Sequence, residues 1–495
     1  MQYTYRYVRR QRKTTERFGL LIGGEETSSS NDNYVSIVNP ATSEVIAEVA
    51  FATEVDVDKA VMAAANAQEE WTRSTQSKRA NLIYKLAQAV DSHRAELAQL
   101  ETKNVGKPIL VSQNVDLRTA VDALEYFAGM AYKVEGITIP VPGRFLNYTV
   151  REPYGVVAGI IPWNYPLLQA VWKIAPALIA GNTVVLKPAE QAPLTPLALG
   201  RLAYEVGFPA GTVNVIPGYG EVTGKTLCAH LGVSFIAFTG SVETGILIQK
   251  YAAEHVVPVT LELGGKSPNI VFADADLDVG IPVVASGIFT NQGEVCTAGS
   301  RILVERPIYD QFIEKFVDYI QTSVKIGDPM DPSMTMGPII NHEQLNRIEG
   351  FIERAKANQT KLILGGKRRK IKNLNSDLFY EPTVFIDVDN DSELAQNEIF
   401  GPLVAIIPFE SEEQAIWLAN NVKYGLAAAV QTRDIGKAHR VASAIKAGNV
   451  WINTWGNIHS ASPYGGYKMS GHGREMGFSI VEALTQEKSV WVSLR

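Results

Sequence analysis

Cys296 lies in Phe289-Thr-Asn-Gln-Gly-Glu-Val-Cys296-Thr-Ala-Gly-Ser-Arg301, among small and turn-forming residues that read as a loop. A thiol in a loop can be reached by a substrate, which one in an apolar core cannot, and its thiolate is a strong nucleophile. The residue type alone leaves a second reading open, because most lone cysteines are small buried apolar residues. Glu262, in Leu261-Glu262-Leu-Gly-Gly265, is a carboxylate among apolar residues just ahead of two glycines. Such surroundings raise a carboxyl pKa and suit a general base. It precedes Cys296 by 34 positions (296 − 262), so only folding can bring the two together. Asn164, in Pro162-Trp-Asn164-Tyr-Pro166, carries an amide N–H suited to a developing oxyanion, and is equally suited to forming a turn.

Other stretches suit a dinucleotide. Phe238-Thr-Gly240-Ser-Val-Glu-Thr-Gly245 follows an apolar run and opens a helical one, so phosphates or a flat ring can approach backbone amides at a helix N-terminus. Val185-Leu-Lys187-Pro-Ala-Glu190 sets a cation three residues from a carboxylate, a pairing that fits a ribose or a surface ion pair equally well. Gly218-Tyr-Gly220-Glu-Val-Thr-Gly224 has one residue too many for G-x-G-x-x-G and is weak support. The seven histidines are scattered, with no H-E-x-x-H and no C-x-x-C, so no metal site is expected.

These residues need strand tips to hold them. Between residues 155 and 265 the short apolar runs 156–161, 183–186, 213–216, 235–238 and 259–263 alternate with helical stretches 167–178, 196–205, 222–229 and 244–254. Runs apolar on both faces and joined by helices imply a parallel sheet, with a ligand at the carboxyl ends of its strands. A second α/β unit is expected from residue 267 to about 465, with helices over 278–290, 309–324, 343–357, 412–421 and 435–447. Residues 138–151 read as an extended ribbon, and 488–495 as a terminal strand that needs a sheet to join, another subunit's being one solution.

The 495 residues, 46% apolar and 20% charged, suffice for two or three ordinary globular domains. A net charge of −6 gives no reason to expect nucleic acid or an anionic membrane as partner. Cys228 and Cys296 cannot make a disulfide framework and suit a reducing, cytoplasmic compartment. No apolar run approaches the roughly 20 residues that span a bilayer. The start is basic, with Arg6, Arg9, Arg10, Arg12, Lys13 and Arg17 against Glu16; lacking an apolar core, it does not read as a secretory signal.

Taken in order, PWNYP at 162–166, VLKPAE at 185–190, FTGS at 238–241, LELGGKSP at 261–268, NQGEVCTAGSR at 291–301, EIFGP at 398–402 and GGYKMSGHGRE at 465–475 resemble the aldehyde dehydrogenase superfamily over nearly the whole chain after residue 18. The resemblance implies an α/β fold: a Rossmann-like cofactor domain (19–129 and 152–262), a second α/β catalytic domain (263–465) and a small β oligomerisation ribbon (130–151 and 466–495), after a basic arm (1–18). It makes Cys296 the nucleophile, Glu262 the base for the hydrolytic water and Asn164 a partner of the Cys296 amide at the oxyanion, with Lys173 and Glu475 on a proton path. NAD would lie against Ile161, Pro162, Trp163, Lys187, Glu190, Gly220, Gly240, Ser241, Leu263, Glu398 and Phe400. Glu190 favours NAD over NADP, because a carboxylate at the ribose repels a 2′-phosphate, and NADP is the alternative if the side chain swings away. Members that transfer the acyl group to coenzyme A characteristically lack a carboxylate at the Glu262 position, so hydrolysis is expected. The partners implied are a small-molecule aldehyde and further copies of the chain, as a dimer or tetramer.

By the same resemblance the substrate tunnel involves Tyr165, Gln169, Trp172, Thr290, Val295, Thr297, Gly456, Ile458 and Tyr464. Tyr165, Trp172 and Tyr464 could face a quaternary ammonium, as in betaine aldehyde enzymes. Those enzymes usually carry a tryptophan where this chain has Thr290. Narrow-tunnel members carry a phenylalanine there and an aspartate at Gly456. Both departures enlarge the tunnel and point to a bulky or long apolar aldehyde, retinal-like, with betaine aldehyde or an aminoaldehyde as the alternative. A non-catalytic relative that keeps the fold is the reading of another class.

Overall fold

The computed structural model describes residues 16–495. Most of the basic arm therefore lies outside the described residues. Its last three do not: Glu16–Phe18 is a strand, parallel to Val45–Ala50, because Phe18 is buried in the core.

Two sheets carry the architecture. The first has eight strands in the order Gly471–His472, Val259–Glu262, Phe235–Thr239, Val156–Ile160, Thr183–Lys187, Val213–Val215, Leu20–Ile22, Glu25–Thr27. Its five central strands are parallel, and the outer ones are antiparallel additions. Alternate residues serve opposite faces. Val157, Val184 and Phe235 join one apolar cluster, while Val156, Ala158, Ile160 and Val185 join another. Helices Pro166–Ala180, Leu194–Glu205 and Val242–Ala253 connect successive strands, as their periodicity predicts. The stretch expected as a helix over 222–229 divides into a π-helical turn, Gly220–Gly224, and a short helix, Lys225–Cys228.

The second sheet has seven strands: Lys361–Leu364, Thr383–Ile386, Leu403–Phe409, Arg301–Glu305, Pro268–Val271, Ala427–Gln431, Asn449–Ile452. All pair in parallel except the first. It too is covered on both faces, with Ile270, Leu303 and Ala405 on one side and Val271, Ile302 and Val404 on the other. The molecule is thus α/β, with one Rossmann-like sheet and a second parallel sheet.

A three-stranded ribbon stands beside them: Thr138–Ile139, Phe145–Pro153 and Thr485–Ser493. The closing stretch 466–495 does not act as one ribbon element. Gly471–His472 extends the first sheet beside Val259–Glu262. Helix Gly477–Ala483 buries Ile480 and Val481 in the first sheet's core, and its Glu482 carbonyl accepts from Arg151 of the ribbon (3.5 Å). The terminal strand finds its partner within the chain, Thr485 opposite Pro153 through Ser493 opposite Phe145.

Candidate active site

Helix and strand ends from both sheets converge on Cys296. The helix Leu277–Phe289 ends at Thr290, and the chain then turns through Asn291 and Gln292 with φ of 48° and 57°. Left-handed backbone at two consecutive non-glycine residues is uncommon and needs surrounding support. Here Gln292 Oε1 accepts from the Gly337 amide (3.1 Å), Glu294 Oε1 accepts from the Ile340 amide (3.1 Å), and the Asn164 amide group donates to the Glu294 carbonyl (2.8 Å). Gly265 lets the loop approach, since a Cβ there would stand 2.7 Å from the Cys296 carbonyl oxygen.

Cys296 is half-buried rather than fully open, with its Sγ 3.4 Å from Tyr464 Oη. Burial pushes its thiol up to about 11. The Tyr464 hydroxyl and the Thr297 amide favour the thiolate, while Glu398 and Glu262 oppose it. Asn164 is buried, and the bond to Glu294 commits part of the amide that was expected to serve an oxyanion.

Glu262 ends the strand Val259–Glu262, and a Cβ on Gly465 would stand 2.6 Å from its Oε1. It is 3% exposed, and neither carboxyl oxygen has a hydrogen-bond partner. Burial holds its pKa well above the usual carboxylate range, with Lys173 and Arg474 pulling the other way. Lys173, inside helix Pro166–Ala180, donates to Thr239 Oγ1 (2.7 Å) and pairs with the Glu475 carboxylate. Burial pushes the Lys173 pKa down. Glu475 and Tyr464 exchange two backbone hydrogen bonds of 2.7 Å, which joins this pair to the tyrosine beside the thiol.

The expected cofactor residues gather at the carboxyl ends of the first sheet. Lys187 ends its strand and pairs with Glu190 at 3.1 Å. Glu190 also accepts from the Gly220 amide (2.7 Å), so it tethers the π-helical turn. Ser241 caps helix Val242–Ala253 by accepting from the Thr244 amide (3.1 Å). The Gly240 amide donates to the Glu262 carbonyl (3.0 Å) and the Ile161 amide to the Lys187 carbonyl (3.2 Å). Leu263 donates to the Ser470 carbonyl (3.0 Å) and packs under Gly245, where a Cβ would meet its side chain at 2.7 Å. Trp163, beyond Pro162, meets Phe400 edge to face, with ring centroids 5.2 Å apart. Glu398 accepts from the Gly265 amide (3.1 Å) and occupies the space a Gly264 Cβ would fill, 2.0 Å from its Oε2. Burial raises Glu398 to about 7.

Of the expected tunnel residues, Tyr165, Gln169, Trp172, Val295, Thr297 and Tyr464 lie buried or half-buried. Trp172 and Tyr464 pack edge to face, with centroids 5.4 Å apart. Gln169 Oε1 and Trp172 Nε1 are buried without partners. Thr290, Gly456 and Ile458 are exposed instead, and nothing lies within 4 Å of where a Gly456 Cβ would be.

Several residues here were not anticipated. Lys107, fully buried, pairs with Asp116 and stands 3.8 Å from the Tyr165 ring centroid. Glu294 is buried with Oε2 unpartnered, and its carboxyl is raised by burial. No spacing signal links residues 107, 116, 165 and 294. Among the described residues no group of three or more His, Cys, Asp or Glu could hold a metal ion, and no helix is long and apolar enough to cross a membrane.

A parallel sheet whose carboxyl strand ends bring a cysteine and a buried carboxylate into one region suits a dinucleotide-dependent oxidoreductase. The chain belongs to the aldehyde dehydrogenase family, whose sequence pattern matches residues 27–490. Retinal dehydrogenase 2 of Rattus norvegicus is 47% identical over 479 residues, covering 96% of this chain and 92% of the relative. The mitochondrial aldehyde dehydrogenase of the same organism is 45% identical, covering 96% and 91%. The NAD+ complex of Bacillus cereus aldehyde dehydrogenase superposes with a TM-score of 0.94 at 44% identity, covering 97% of each chain. Betaine aldehyde dehydrogenase of Staphylococcus aureus, in complex with NAD+, does so with 0.94 at 42% identity, covering 96% and 95%.

Proposed function

We propose that the chain oxidises an aldehyde to its carboxylic acid with NAD as acceptor, using Cys296 as nucleophile and Glu262 as base. The observation that carries this is Glu262: a buried carboxyl with both oxygens free of hydrogen bonds, in the electrostatic reach of the Cys296 sulfur. A carboxyl that is desolvated and unpartnered has a raised proton affinity, which suits taking a proton from water.

The cofactor fits the residues present. Gly240 leaves the approach to the Ser241-capped helix free of a side chain, and Gly264 makes room for Glu398. Lys187 and Glu190 would hold the adenosine ribose, Glu398 the nicotinamide ribose, and Trp163 and Phe400 would wall the crevice. Bound NAD supplies the acceptor for the hydride that leaves the substrate carbon. Cys296 adds to the aldehyde carbonyl, and Asn164 together with the Cys296 amide stabilises the oxyanion of the thiohemiacetal. Loss of hydride leaves a thioester on Cys296. Glu262 then takes a proton from water, which cleaves the thioester and releases the acid. Lys173 and Glu475 carry that proton onward.

The aldehyde we favour is bulky or long and apolar, retinal-like. The open surroundings of Gly456 and the short, exposed Thr290 support this, as does the 47% identity to a retinal dehydrogenase. The packed aromatic pair Trp172 and Tyr464 favours betaine aldehyde as the second reading, through cation–π contact. We propose a homo-oligomer in the cytoplasm; the exposed Phe145, Leu146, Trp491 and Val492 on the ribbon support self-association.

The test is to mix the protein with NAD, coenzyme A and a panel of aldehydes, following NADH absorbance and the product. The carboxylic acid should form, and kcat/KM for retinal should exceed that for betaine aldehyde. Acyl-CoA as the main product would remove the hydrolytic role of Glu262. A clear preference for betaine aldehyde would reverse the substrate order.

A further inference from the structure

We infer that the Tyr464 hydroxyl is a further catalytic group: it donates a hydrogen bond to the Cys296 sulfur and so favours the thiolate that attacks the aldehyde. The inference rests on the reading of Cys296 as nucleophile.

The geometry begins with the 3.4 Å separation of Sγ and Oη, a distance normal for a bond to sulfur. Tyr464 is held there from two sides. Its backbone exchanges both hydrogen bonds with Glu475, and its ring packs edge to face on Trp172. Only 5% of the residue is exposed, so little water competes for the thiol from that side. A hydroxyl bonded to a thiol gains little. Bonded to a thiolate it makes a charge-assisted bond, roughly twice as strong as a neutral one. The bond therefore shifts the balance toward the thiolate.

The surroundings give that shift a purpose. Burial is the largest influence opposing ionisation of Cys296, and Glu398 and Glu262 add negative charge nearby. Tyr165 lies within electrostatic reach of the sulfur and brings no positive charge to offset them. Lys173 is engaged with Glu475 and Thr239. One Asn164 N–H is spent on the Glu294 carbonyl. The donors bonded to the sulfur are the Thr297 amide and the Tyr464 hydroxyl. Burial also keeps the phenol's own pKa well above its ordinary value, so Tyr464 stays a donor while Cys296 ionises. No proton leaves Tyr464 in the attack. The sulfur–carbon bond forms, the carbonyl π pair moves to oxygen, and the hydroxyl is freed as the sulfur loses its charge.

The experiment is Tyr464→Phe in the full chain, which keeps the ring and removes only the oxygen. Alkylation of Cys296 by iodoacetamide is followed by peptide mass from pH 6 to 11, and kcat/KM for an aldehyde at saturating NAD over the range where the enzyme is active. Loss of the bond should raise the thiol midpoint by about one unit, a tenfold drop in thiolate at a given pH. The less acidic thiol is intrinsically more nucleophilic, so alkylation below the midpoint should slow about three- to fourfold. The acid limb of kcat/KM should move up with it and recover toward the wild-type plateau at high pH. Coincident profiles would overturn the inference. So would a loss of kcat/KM that persists undiminished on the high-pH plateau, which a purely structural role predicts. A Cys296→Ala variant that still oxidises aldehyde would remove the nucleophile reading instead, and the alkylation comparison would still decide whether the hydrogen bond exists.

Discussion

The inner end of the candidate tunnel and its mouth differ in how their residues are held. Inside, Cys296 is fixed by a loop tied to Gly337, Ile340 and Asn164, and Tyr464 and Glu475 clamp each other through their backbones. At what the proposed function makes the mouth, Thr290, Gly456 and Ile458 are exposed, and Gly456 sits in open space. A reacting group misplaced by an ångström loses much of its effect, so the inner end tolerates little change. A mouth that only admits or excludes can vary at small cost. On the proposed function, the difference would let reaction type and substrate choice be set in separately adjustable regions.

Changes at the inner end should therefore cost most. Cys296→Ala should reduce NADH formation by at least about a thousandfold, while leaving the unfolding midpoint near wild type, since one half-buried sulfur is lost. Equal losses in activity and stability would mean the loop, rather than the thiol, is what matters. Glu262→Gln should spare the first hydride transfer and stall hydrolysis. Rapid-mixing absorbance should show one burst of NADH per active site, then turnover slowed about 10²–10⁴-fold. At the mouth the effects should be small and selective. Gly456 has φ of +72°, so Gly456→Asp should cost about 1 kcal/mol in denaturant titration. It should lower kcat/KM about tenfold for a long aldehyde, a loss of about 1.4 kcal/mol, and hardly change it for acetaldehyde. A loss shared by both substrates would merge mouth and inner end into one region.

How much of this was legible in sequence follows from how local each signal is. The run 183–186 became the strand Thr183–Lys187 because residues apolar on both faces can only be buried between two layers. The helix expected over 309–324 runs Tyr309–Ser323, since its apolar stripe repeats at helical spacing. As candidates, Cys296 and Glu262 stand out through the residues beside them, whereas Glu398 is named only through a motif carried by a family resemblance. What stayed hidden was long-range. Nothing near residue 493 says that its partner is Phe145, and nothing in the 466–484 stretch says that its helix will bury Ile480 in the first core. The contact of Tyr464 with Cys296 and that of Lys107 with Tyr165 join residues far apart in the chain. Such contacts exist only once the sheets have closed.

The unpartnered oxygens of Glu262 carry a consequence for the heat tolerance of the whole molecule. A buried carboxyl without hydrogen bonds disfavours the folded state by about 1–3 kcal/mol. Its proton affinity is higher folded than unfolded, so this handicap grows as pH rises above the ordinary carboxylate range. Glu262→Leu, incapable of turnover, should then survive heating better than the working enzyme, by a margin that widens from pH 5 to pH 8. Scanning calorimetry at the two pH values would measure it, and the margin would be the amount by which fitness for chemistry and endurance pull apart at a single position.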